Sequence, residues 1–117
     1  MSASLEIVNN TGSNIMFTQI GTVNDDATWS VVPPTGTMIP TGQSQSIAMG
    51  NSSIIPFVRG VGANCVFMCQ SNFKPGSIYF DDPAIGAHSF SFDQSGVFNY
   101  DVQNPSGNSY VVTISLN

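Results

Sequence analysis

Charge is what this sequence has least of: 8% of its 117 residues are Asp, Glu, Lys or Arg, where ordinary soluble domains carry roughly a quarter. The shortage is lopsided, with two basic residues, Arg59 and Lys74, against seven acidic ones and a formal net charge of −5. Two cations cannot neutralise a run of phosphates, which excludes nucleic acid as a partner. One His, His88, and two Cys, Cys65 and Cys69, fall short of the four ligands of a structural zinc site. No apolar run approaches the roughly 18 residues that a membrane-spanning helix needs; the longest, Ile54 to Val58, is interrupted by Pro56. A 3.6-residue apolar period never outlasts one turn, so no helix of any length is predicted. Met1-Ser2-Ala3-Ser4-Leu5-Glu6 offers neither a basic segment nor an apolar run of signal-peptide length. That predicts a cytoplasmic chain, or one released without a signal peptide.

What is present is 41% hydrophobic residues, enough to bury a core in one domain spanning 1–117. Alternation and turn residues recur throughout. Ten short strands are predicted: Ser4 to Asn9, Asn14 to Ile20, Thr28 to Val32, Gln43 to Met49, Ile54 to Val61, Asn64 to Gln70, Ser77 to Phe80, His88 to Phe92, Val97 to Gln103 and Ser109 to Leu116. Turn signals separate them, among them Asn-Asn-Thr-Gly (9–12), Pro-Pro-Thr-Gly (33–36), Pro-Thr-Gly (40–42), Gly-Val-Gly (60–62) and Lys-Pro-Gly (74–76). Strands spaced this closely make an all-β sandwich or small barrel. In Ser89-Phe90-Ser91-Phe92 the two Phe face the core and the two Ser face solvent.

Residues four apart on a strand lie about 13 Å apart, too far for a disulfide. Cys65 and Cys69 are therefore expected as unpaired core thiols on one face. His88 has no nucleophile and acid assignable to it by spacing, and seven scattered acids give no carboxylate pair for glycosidase chemistry. No enzyme, cofactor or resident metal is expected. Asp25-Asp26 and Asp81-Asp82 are paired loop acids of the kind that can hold Ca²⁺, but neither matches an EF-hand spacing, and turn formation is the simpler role. Asn9-Asn10-Thr11 and Asn51-Ser52-Ser53 fit a glycosylation pattern that a chain without a signal peptide never presents. Trp29, Tyr79, Tyr100 and Tyr110 read as exposed rings suited to a sugar face or a bilayer interface. Core packing is the competing role: Trp29 and Val31 share one face of their strand, and burial of Trp29 is expected.

Three segments taken in order resemble the aegerolysin group of small acidic β-sandwich proteins. They are Leu5-Glu6-Ile7-Val8-Asn9-Asn10-Thr11-Gly12-Ser13-Asn14-Ile15; Trp29 followed by Pro33-Pro34 and Ile39-Pro40-Thr41-Gly42; and Tyr79-Phe80-Asp81-Asp82-Pro83-Ala84-Ile85-Gly86. With the strand pattern, the resemblance implies a single antiparallel β-sandwich, of jelly-roll or actinoporin-like type. It also implies no enzymatic activity, recognition of membrane lipids, and in some members recruitment of a larger pore-forming partner, as in a toxin.

The expectation is a non-enzymatic protein that binds lipid headgroups or glycans through Trp29, Tyr79, Asp81, Asp82, Ile85 and His88. A net negative chain would have to use hydrogen bonds and inserted rings rather than attraction to anionic lipid. Two alternatives stand beside it. One is a structural protein, such as a virion component, that self-assembles into a homo-oligomer, since a charge-poor surface sets up little repulsion between copies. The other is a soluble lectin.

Overall fold

The computed structural model describes residues 2–22, 27–51, 60–82, 89–93, 97–103 and 108–117. Ten strands occur in it: β1 (Ser2–Asn9), β2 (Ile15–Thr22), β3 (Ala27–Val31), β4 (Met38–Ile39), β5 (Ser44–Asn51), β6 (Val61–Cys69), β7 (Pro75–Asp82), β8 (Ser89–Asp93), β9 (Phe98–Gln103) and β10 (Ser109–Leu116). They form two five-stranded sheets, ordered β3-β5-β1-β10-β9 and β4-β2-β6-β7-β8. The fold is the all-β sandwich that the alternation predicts. One pair departs from an antiparallel pattern: β1 and β10, the first and last strands, run parallel at the centre of the first sheet, with Leu5 opposite Tyr110 and Ile7 opposite Val112.

Strict alternation on β1, β6, β7 and β10 places every second residue between the sheets. Leu5, Ile7, Phe67, Phe80 and Ile114 are among the fully buried side chains that result. Phe90 and Phe92 pack against this core as expected. Gly12, Gly36 and Gly42 take positive φ at three of the predicted turns.

One end of the sandwich is fastened by Asn9, which is fully buried. Its Nδ2 donates to the carbonyls of Ser13 and Ile39, at 2.7 Å each, and its Oδ1 accepts from the Thr11 N–H and hydroxyl, at 3.0 and 2.7 Å. The side chain thus ties the β1–β2 turn to β4, and every polar atom of the amide is engaged.

Several local expectations change. Most of the predicted strand over 54–61 lies outside the described residues; its last residue, Val61, opens β6, where the ladder Val61–Asp82 and Gly62–Asp81 carries the strand through the expected Gly-Val-Gly turn. Pro75 and Gly76 begin β7 rather than forming a turn. Proline is tolerated at a strand's first position, and Gly76 is needed for close approach: a Cβ there would lie 2.5 Å from the Phe67 ring. The turn falls instead on 70–72. Two residues suffice for β4, too few to show alternation. Finally, a bulge between Trp29 and Val31 breaks their shared face: Trp29 packs against the core, while Val31 is 46% exposed.

Candidate functional site

Strand β7 carries three of the residues selected from sequence, and period-2 geometry separates them. Tyr79 and Asp81 lie half-buried on the outer face of the second sheet, Tyr79 between Asn64 and Ser91, Asp81 between Gly62 and Ser89. Asp82 points the other way and is fully buried. Its Oδ1 accepts a hydrogen bond from the Tyr110 hydroxyl, across the space between the sheets. The two neighbouring carboxylates therefore face opposite sides of one sheet and do not converge on a cation. No group of three or more His, Cys, Asp or Glu capable of holding a metal occurs among the described residues. Asp25 and Asp26 lie outside them, as do Ile85 and His88.

Tyr110 corrects the expectation of an exposed ring, being 1% exposed. It faces inward beside Leu5 in the register of β1 and β10, with its ring centroid 5.0 Å from Phe80 and 5.5 Å from Phe90. Burial raises the pKa of its hydroxyl, and the hydrogen bond to Asp82 and the charges of Asp82 and Asp81 raise it further. Tyr100 is exposed, as expected, and stacks on Phe92 at 4.5 Å where the edges of the two sheets meet. Trp29 stands apart from the β7 residues, on the edge strand of the other sheet.

Both cysteines are free and buried, as predicted. Burial pushes the Cys65 thiol up to about 12. At Cys69, burial acts in the same direction but is outweighed by hydrogen bonds from the Ser71 hydroxyl and backbone, the Ser13 hydroxyl and the Asn72 backbone, so the net shift is downward.

Sequence reasoning missed Phe73, the most exposed large apolar group among the described residues, which is 71% exposed at φ 58° beside the exposed Lys74. Its N–H donates to the Cys69 carbonyl at 2.9 Å, Lys74 N–H donates to Asn72 Oδ1 at 2.9 Å, and Cys69 N–H donates to the Lys74 carbonyl at 3.1 Å. Gln70 N–H donates to the Asn14 carbonyl at 2.9 Å, anchoring this turn to the one that Asn9 organises. Phe73 is thus presented by a hydrogen-bonded tip.

Next to the tip, Met38 on β4, Met16 on β2 and Met68 on β6 stand in one cross-strand row that ends at Pro75 on β7. The row lies on the outer face, because its neighbours Ile15, Phe17, Phe67 and Cys69 fill the core. Met38 is 44% exposed, and Met16 and Met68 are half-buried. The signal was legible in Ile15-Met16-Phe17 and Phe67-Met68-Cys69, where alternation assigns methionine to the solvent side. On the opposite sheet, Ala48, Ser4 and Ser109 form a row of small side chains flooring a groove of about 350 Å³, also lined by Ser2, Ser30 and Asn108.

Neither a protein-family model nor a curated protein matches the sequence. Solved structures do match, over the whole sandwich. IP-1A from Alcaligenes faecalis is 14% identical with a TM-score of 0.73, over 100% of this chain and 91% of its own. RahU protein, solved in complex with a TRIS molecule, is 17% identical with a TM-score of 0.72, over 99% of this chain and 93% of its own. The lipid binding protein Nakanori is 11% identical with a TM-score of 0.60, over 99% of this chain and 70% of its own. At such identities the likeness is one of fold, and it fits the aegerolysin-like sandwich that the sequence resembles.

Proposed function

We propose that the chain is a non-enzymatic protein that binds lipid at a membrane surface. The observation that carries this reading is the contiguous outward-facing row Met38, Met16 and Met68 on a charge-poor sandwich, with Phe73, 71% exposed, on the turn beside it. Surface apolar residues beyond scattered single ones mark interaction sites. The whole-length fold likeness to a protein described as lipid-binding supports the same reading. Of the acids selected from sequence, Asp82 is buried and engaged with Tyr110, and this reading gives it a structural part rather than a headgroup contact.

Flotation with vesicles of phosphatidylcholine, sphingomyelin and cholesterol, singly and mixed, tests the reading. Binding that changes little between low and high salt is expected, because the apolar contribution is not screened. Failure to float with every composition contradicts it.

A further inference from the structure

We infer that the β6–β7 tip and the methionine row beside it form the surface that meets the bilayer, with Phe73 entering the apolar layer and Lys74 taking a headgroup phosphate. This inference rests on the lipid reading above and adds to it which face docks and what the headgroup must offer.

Phe73 combines two unfavourable features. A bulky residue at positive φ is an outlier that Gly or Asn would relieve, and a phenyl ring in water is unfavourable in its own right. The chain accepts both at one position, on a turn whose backbone is fixed by hydrogen bonds from Phe73 to Cys69 and from Lys74 to Asn72. Strain that the surroundings hold in place gathers at functional positions.

The row Met38, Met16 and Met68 extends the apolar surface from the tip across three strands. Methionine side chains are unbranched and polarizable, and they adapt to a contact surface with no fixed shape. A fluid lipid layer is such a surface.

Charge selects the occupant. Lys74 is the one cation among the described residues, and it sits directly beside Phe73. An anionic membrane would repel a chain of net charge −5. A zwitterionic bilayer carries no net charge to repel the chain, yet presents a phosphate at the level of the headgroups and an apolar layer just beneath, matching a lysine placed next to a phenylalanine.

Flotation with phosphatidylcholine vesicles tests the assignment, with the intact chain compared against Phe73→Gly, Lys74→Gln and Thr113→Ala, the last on the outer face of the opposite sheet. Phe73→Gly removes the ring and relieves the positive φ together, so the variant should unfold at equal or higher urea concentration while binding about ten- to a hundredfold more weakly. Lys74→Gln should bind a few-fold more weakly, and Thr113→Ala should match the intact chain. If the intact chain floats and Phe73→Gly floats equally well, the inference is overturned while the lipid reading stands. If the intact chain floats with no vesicle, both fall. An intact chain that elutes as a dimer in gel filtration, and that Phe73→Gly turns into a monomer, makes the tip an interface between copies and also overturns it.

Discussion

The Tyr110 hydroxyl donates a hydrogen bond to the Asp82 carboxylate inside the sandwich, joining β10 of one sheet to β7 of the other. Hydrogen bonds to charged groups contribute about 1.5–3 kcal/mol. Tyr110→Phe removes this one and leaves a buried carboxylate with one donor fewer. Urea unfolding should show a loss of that order, with vesicle binding by the folded variant unchanged. Unaltered stability, or a selective loss of binding, would return Asp82 to the ligand-binding role expected from sequence.

Two buried groups keep their protons in the folded chain at pH values where the unfolded chain releases them. Cys65 is raised from 9.0 to about 12, and Tyr110 is raised from 10.0. Raised groups stabilise the fold fully below their unfolded pKa and lose that contribution as pH climbs above it. Stability should therefore hold up to about pH 9 and then fall, first through Cys65 and from about pH 10 through Tyr110 as well, by at most about 1.4 kcal/mol per pH unit for each group. Denaturation midpoints across this range should show Cys65→Ala removing the earlier part of the decline. A decline of the same shape in the variant would contradict the assignment.

Gly76 lies opposite Phe67, with room for a hydrogen and not a methyl group. Gly76→Ala should cost about 1–3 kcal/mol by overpacking, and Phe67→Leu placed with it should recover part of that loss in a double-mutant cycle. A fully tolerated alanine would mean that the ring moves aside freely, against its contacts with Phe98 at 5.3 Å and Phe92 at 5.9 Å.

Where a residue's neighbours in sequence decide its conformation, the fold was legible. The alternation of Leu5, Ile7 and Asn9, and the glycines at 12, 36 and 42, correctly placed strands and turns. Partners distant in sequence were not legible: that Asp82 meets Tyr110 depends on how the sheets stack, and nothing local distinguishes Asp82 from Asp81 except its parity along β7. The bulge after Trp29 reversed the face of Val31 for a similar reason, since bulges answer to the partner strand. Phe73 escaped notice because Ser-Asn-Phe-Lys before a proline reads as a turn, where an aromatic residue carries no pattern. The sandwich class was thus readable, while the tip depended on seeing which residue the turn puts into left-handed backbone.

Oxidation offers a separate probe of the methionine row. Hydrogen peroxide converts a thioether to its sulfoxide with release of water, turning an apolar side chain polar. Among the described methionines, Met38, 44% exposed, should oxidise first, and Met49, 2% exposed, should be protected in the folded chain. Peptide mass spectrometry read beside vesicle flotation should show binding falling as Met38 gains oxygen, with Met38→Leu binding normally and resisting the early loss. Full oxidation of Met38 with no change in binding would remove the row from the docking surface.

Tryptophan fluorescence can read whether the tip enters the bilayer. Trp29 is the only tryptophan of the chain and packs against the core on the far sheet's edge, so Trp29→Phe combined with Phe73→Trp moves the fluorophore to the tip. On phosphatidylcholine vesicles brominated in the acyl chains, the account predicts a blue shift and strong quenching from position 73, with Trp29 of the unaltered chain little affected. Vesicle binding by the variant with emission from position 73 as in buffer would contradict it.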